Sequence, residues 1–347
     1  MGSQRFRDVV VVVAGLLAGA AVAAEPGGFA VQDDAHGAVV TWRGSPFAAY
    51  VTDQANKPYL WPVYGPTGKP MTRAFPMADV PAEPKQQRDH PHHRGITFGH
   101  EEIADNSWAD RGSYEAGLAS TDAAKVAAAE RNIARLGRIR HHGFTRLEGG
   151  PDEAVVEATC EYLDASGARR LTEYRRLGFS ATDSTRVIDV DQDLVASDGP
   201  VTIGDRKDAG LFIRVPVTMA VDMKQGGRII NSAGQADAAA WAQPAEWCDY
   251  HGPVDGEHLG IAILNHPQSF RHPTRWHVRT YGLFTANPFA ARGFDAALPD
   301  AAVQLAAGQT IRLRHRIIFH VGDEREAGID AAWKAYAAQP RPAPARP

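Results

Sequence analysis

From Ala154 onward the chain lays down one β run after another with no helix between them. Segments 155–162, 170–179 and 185–194 are rich in β-branched and aromatic residues, and turn residues such as Gly167 separate them. Strands that follow one another without a crossover helix pair as antiparallel neighbours. The N-terminal part repeats the pattern: 38–42 and 46–51 flank Arg43-Gly44-Ser45 as a hairpin, and 59–64 is a further extended run. Segment 309–321 is a last strand. The helical stretches are few, a weak Ala-faced one at 123–136 (with 135–141, overlapping its end, allowed as a strand already) and a short closing one at 329–338. The expected fold is mostly β, a single antiparallel β-sandwich or supersandwich over 28–338 with few short helices.

The start and end of the chain lie outside that domain. Arg5 and Arg7 precede an apolar run at 9–23, and Ala21-Val22-Ala23 and Val22-Ala23-Ala24 both offer a small-x-small cleavage site. This predicts a signal peptide over 1–24 and a periplasmic or secreted protein. No later run is long and apolar enough to span a bilayer, so no membrane association is expected after cleavage. The Pro/Ala-rich tail at 339–347 is expected to be disordered. A formal charge of −4 without a basic block argues against nucleic acid. Cys160 and Cys248 are too few for a disulfide framework.

The chemistry concentrates in Asp89-His90-Pro91-His92-His93-Arg94-Gly95-Ile96-Thr97-Phe98-Gly99-His100, where four imidazoles fall within twelve positions. Histidine acts as acid, base or metal ligand near neutral pH. Pro91 disfavours the helical region for His90 and pushes it towards an extended conformation. His90 and His92 are then expected to point one way and His93 the other, with 96–98 as a short strand. Proton transfer falls to His92 and His93, with Asp89 orienting a ring and Arg94 holding an anionic or hydroxyl group. Substrate-binding candidates are His90, His100, Asn106, Trp108, Lys207, Arg214, His266, Trp276, His277, Tyr281 and Asn287: polar and aromatic groups at loop–strand junctions of the kind a polar-ligand cleft uses. Each of these taken singly is more often structural. Glu101, Glu102, Asp205 and Asp208 are candidate carboxylates for glycoside chemistry. No His-Glu-x-x-His and no cysteine pair at ligand spacing is present, so no cofactor is expected; the alternative is a divalent zinc or copper ion on His90, His92 and His266.

Four blocks carry a resemblance: Tyr59-Leu60-Trp61-Pro62, the Asp89–Gly95 block, Trp276-His277-Val278-Arg279-Thr280-Tyr281-Gly282 and Ala286-Asn287-Pro288-Phe289. They resemble the PmoA-like family of exported bacterial proteins, from about Ala38 to the closing helix. The resemblance implies a β-sandwich associated with sugar catabolism and, by fold analogy, a galactose-mutarotase-like supersandwich that acts on a sugar with histidines and a carboxylate. Thr97 stands where the family pattern has an aromatic, which removes one stacking platform. The expected partner is a small sugar or glycoside. The expected function is an exported carbohydrate-active enzyme (hydrolase, lyase or epimerase) using imidazole acid–base chemistry. A metal-dependent enzyme and a non-catalytic sugar-binding module are the alternatives.

Overall fold

The structure is a computed structural model that describes residues 27–81, 83–340 and 342. The expected signal peptide at 1–24 lies outside the described residues, as does most of the expected tail. Strands are numbered in chain order. One eight-stranded sheet runs β1 (Phe29–Asp34), β2 (Gly37–Trp42), β3 (Ser45–Val51), β4 (Tyr59–Val63), β5 (Ile96–His100), β11 (Ala209–Arg214), β16 (Leu283–Asn287) and β15 (Arg275–Val278). The second runs β12 (Arg228–Asn231), β13 (Trp247–Val254), β14 (Glu257–Asn265), β18 (Thr310–Val321), β9 (Thr185–Val195), β8 (Arg169–Ala181), β7 (Ala154–Leu163) and β6 (Arg138–Glu148). A two-stranded ribbon pairs β10 (Val201–Ile203) with β17 (Val303–Leu305). All pairings between these strands are antiparallel, so the expected mostly-β sandwich is the observed architecture.

Turn chemistry sets the local register. Arg43 and Gly44 both have positive φ (49° and 75°), the two-residue geometry whose twist matches an antiparallel hairpin. The helices are α1 (Glu115–Leu118), α2 (Ala123–Ile133), capped by the Asp122 carboxylate on the Ala124 N–H, and α3 (Ile329–Ala337). Cys160 and Cys248 are buried and free.

Directly opposed residues in antiparallel strands share a face. The row Leu60, Ile96, Ile213, Phe284, Val278 crosses five strands of the first sheet and is buried in the core against Val156, Leu177, Val190, Ile261 and Phe319 of the second. A polar group is enclosed there too: Glu173 takes hydrogen bonds from Tyr162 and Arg175, and Arg175 also reaches the Tyr50 hydroxyl. The far face of the second sheet is covered by α3, through Ile329 and Tyr336 on Trp247, Leu264 and Ile318. The neighbouring row on the first sheet, Tyr59, Thr97, Phe212, Thr285 and His277, points the opposite way, out of the sandwich. That outer face carries the candidate site.

Candidate functional site

Phe212 anchors the site. With Trp108 and Leu283 it forms a small apolar cluster on the outer face, against which Tyr281 packs. The histidine loop folds onto this cluster, and its conformation differs from the extended one expected. His90 has φ +47°, and the His93 N–H returns to the His90 carbonyl at 3.0 Å, closing a turn at Pro91-His92. The turn brings His90 and His93 face to face (4.8 Å between centroids, 3° between planes), with His92 edge-on to both. The expected opposition of His93 to His90 is therefore corrected: local hydrogen bonding at the turn outweighs the preference Pro91 imposes.

The three imidazoles divide by environment. His93 is 1% exposed, packed between Phe212 and Trp108. Its Nδ1 faces an Arg214 N–H at 3.3 Å, and arginine only donates, so this nitrogen is unprotonated. Burial, aided by the Arg214 guanidinium, pushes its pKa well below the ordinary imidazole value. His92 is buried with Nδ1 on the Ser113 hydroxyl, and burial, with Lys57 nearby, lowers its pKa to about 2. Both rings are held neutral. His90 is different: its side chain is 44% exposed and stacks on Tyr281 (5.7 Å, 3°) on the side away from His93. Its Nδ1 lies 2.7 Å from Asp89 Oδ2. The imidazole that Asp89 hydrogen-bonds is thus His90.

Asp89 is itself fixed. Its Oδ1 accepts from Arg73 Nη1 at 2.9 Å and Arg214 Nη2 at 2.8 Å, and both arginines are buried. Burial opposes ionisation of Asp89, but the His90 hydrogen bond and the two guanidinium charges outweigh it and hold the carboxyl far below the usual range. Arg73 also donates to the carbonyls of Phe75, Gln87 and His90, so one side chain knits the whole 75–90 loop. Sequence reading passed over Arg73. Its one signal in the sequence is a cation between apolar Met71 and Ala74-Phe75.

A second acidic group stands beside the first. Asp208, just before β11, accepts from His277 Nε2 (3.4 Å) and Lys207 Nζ (3.0 Å). Trp241 donates its indole N–H to His277 Nδ1 at 3.0 Å, which fixes His277 as the neutral tautomer with its proton directed at Asp208. Burial disfavours the Asp208 anion, yet His277 and Lys207 outweigh this and bring its pKa to about 2. Asp208 is tied through His277 to Trp241, and Arg279 lies over both Trp241 and Tyr281, which links it to the cluster. Asp208 also acts on Glu101, whose pKa is raised by burial first and by Asp208 second. The Glu101 backbone N–H donates to the Asp208 carbonyl at 3.2 Å, so two carboxyl groups with opposite shifts stand on paired backbone.

Other expected residues fall elsewhere. Arg94 turns to Asp110, 3.4 Å away. Asn106 is spent on the Ala109 N–H, and His100 is fully buried with Nδ1 on the Glu102 N–H and its ring against Phe289. Asn287 is buried and binds the carbonyls of Arg206 and Lys207, so it positions the loop bearing Asp208. Trp276 is a core residue at 0% exposure, on the inward row with Ala286, Leu211 and Phe98, its indole donating to Ala245. His266 binds the Gln339 carbonyl and packs on Tyr336 of α3, on the far side of the sandwich from His90. The set His90, His92 and His266 is therefore not assembled. Asp205 accepts four backbone N–H groups, from Ala291, Arg292, Gly293 and Ala301, and Glu102 pairs with Arg206.

The fold and this outer-face cluster define an antiparallel β-sandwich protein with an imidazole–carboxylate site. The chain belongs to a family of unknown function (DUF6807), whose model matches residues 37–334. That family carries no PmoA-like description, so the likeness drawn from the four sequence blocks stays a likeness. No curated protein sequence matches the chain. Among solved structures it is similar to a putative aldose 1-epimerase from Escherichia coli K12, at 13% identity and a TM-score of 0.29, over 54% of this chain and 69% of that one.

Proposed function

We propose that the chain is an exported carbohydrate-active enzyme in which His90, oriented by Asp89, is the proton-transfer group. The observation that carries this is the state of His90 among its neighbours. It is the solvent-accessible ring of the three, its Nδ1 is held by a carboxylate that two buried arginines immobilise, and its Nε2 edge is left for a substrate. Hydrolysis, elimination and epimerisation of a sugar all need such a transfer, together with a complementary acid or base. Glu101 and Asp208 supply that complement. Tyr281 and Trp241, with Arg279 lying over both rings, put aromatic and cationic groups together, a mixture that suits a sugar with its apolar C–H groups and its hydroxyls. The sequence at 1–24 supports the exported location.

The test is a panel of glycosides, free aldoses and uronate-containing oligosaccharides assayed with the wild-type chain, His90→Gln and Asp89→Asn. The expected result is turnover on one class, reduced about 10²–10⁴-fold by His90→Gln with binding within about tenfold of wild type. Saturable binding without turnover on any compound would make the chain a sugar-binding module and overturn the enzymatic reading.

A further inference from the structure

The second sheet carries its own cluster of ligating groups, far from the histidine loop. Asp249 and His251 are two apart on β13 and so project from one face. Glu324 joins them from the turn between β18 and α3. His251 Nδ1 lies 2.8 Å from Asp249 Oδ1 and 3.7 Å from Glu324 Oε2, and the three donor atoms lie within 4.8 Å of one another. Among the described residues this is the His/Cys/Asp/Glu group close enough to hold one ion.

Two observations mark it as a built site. The outer oxygen of Asp249, Oδ2, is held by His320 Nε2 at 2.7 Å, so Oδ1 is presented in a fixed direction. Metal-ligating carboxylates are oriented in this way by a hydrogen bond to the oxygen turned away from the ion. The His320 ring reaches Asp249 by crossing Gly260, the residue between His251 and His320 in register. A Cβ at Gly260 would lie 2.1 Å from His320 Cε1, so the absence of a side chain there makes the arrangement possible. Second, the Glu324–His251 separation of 3.7 Å is too long for a hydrogen bond, although Glu324 has only 14% of its side chain exposed. Its Oε2 faces His251, while its Oε1 faces the mostly solvated Arg325.

We propose that Asp249, His251 and Glu324 bind a divalent transition-metal ion, zinc being the best match to one imidazole and two carboxylates. An ion about 2.1 Å from each donor spans pairs up to about 4.2 Å apart. The 2.8 and 3.7 Å pairs already satisfy this, and the third needs at most a small inward movement of Glu324. Two carboxylates against one divalent cation leave a neutral centre, which removes the electrostatic cost of crowding two anions under the sheet. Because Glu324 precedes α3, the ion ties the closing helix to β13.

The test is calorimetric titration of zinc chloride into the tag-free chain after chelator treatment, with cobalt(II) absorption as a second reporter. One equivalent is expected to bind and to raise the melting temperature, as a ligand specific for the native state must. Glu324→Gln, on a turn, is expected to weaken zinc at least tenfold, and His251→Asn likewise. His90→Gln is expected to leave it unchanged. Absence of a stoichiometric zinc event would overturn the assignment. So would binding that survives both Glu324→Gln and His251→Asn, or binding lost in His90→Gln.

Discussion

Asp89 Oδ1 receives Arg214 Nη2 at 2.8 Å across 125 positions of sequence. The contact joins the histidine loop to β11, and Arg214 adds a hydrogen bond to Gln87 and a stacking contact with Tyr281. Arg214→Met keeps much of the volume and removes every one of these donors. Hydrogen bonds to charged groups contribute about 1.5–3 kcal/mol each, and Arg73 remains on Asp89, so a loss of about 2–3 kcal/mol is expected. Urea unfolding measures it. A midpoint equal to wild type would show that Arg73 alone fixes the loop.

Trp276 and Tyr281 make opposite predictions although both are aromatic and only five positions apart. Trp276 is buried in the sandwich core, and Trp276→Ala is expected to cost about 3–5 kcal/mol. Tyr281 is half-buried on the outer face and covers His90. Tyr281→Ala is expected to cost under about 2 kcal/mol and to depress turnover on the substrate class found. Thermal melts beside activity assays separate the two. A stable Trp276→Ala with lost sugar binding would reverse the roles.

Gly95 holds the entry to β5. Its φ is +47°, and a Cβ would stand 2.0 Å from the Leu60 carbonyl oxygen of the adjacent strand. Gly95→Ala must separate β4 from β5 or shift the loop that carries His92 and His93. A cost of at least about 1–3 kcal/mol is expected from the backbone alone, with loss of His90 function beyond it. Hydrogen exchange of the β4–β5 amides reports the separation directly.

Stability should fall on mild acidification. Burial first, and then a nearby cation in each case, lowers the pKa of His92 to about 2, His100 to about 3 and His315 to about 3; His93 is lowered as well. The unfolded chain protonates these rings near pH 6.5 while the folded chain does not. Below pH 6.5 the unfolded state therefore binds more protons, and folding weakens as pH drops. Each such histidine contributes about 1.4 kcal/mol per pH unit. Guanidinium unfolding at pH 7.5 and 5.5 is expected to show a clearly lower midpoint at 5.5. Equal midpoints would mean the imidazoles are not kept neutral in the fold.

Much of the architecture was legible in the sequence. The hairpin at Arg43-Gly44, the long strands β7, β8, β9 and β18 and the closing helix fall where alternation and turn residues put them. The density of imidazoles between Asp89 and His93 is a feature of the sequence itself. The role of each imidazole was not legible, because it depends on what covers the ring. His93 is neutral because Phe212 and Trp108 enclose it, and His90 is accessible because Tyr281 covers one face and leaves an edge open. Arg73, Trp241 and the Gly260–His320 crossing were hidden for the same reason: each acts on a residue remote in the chain.

By itself, then, the sequence determined an antiparallel sandwich and the segment where polar chemistry is concentrated. Those depend on local periodicity, turn conformation and composition, which every short window carries. The tertiary structure alone decided that Asp89 serves His90, that Asp208 is held by His277 and Trp241, that Trp276 belongs to the core, and that Asp249, His251 and Glu324 meet. Those depend on strand register between distant segments and on desolvation, and neither quantity exists until the two sheets have closed on each other.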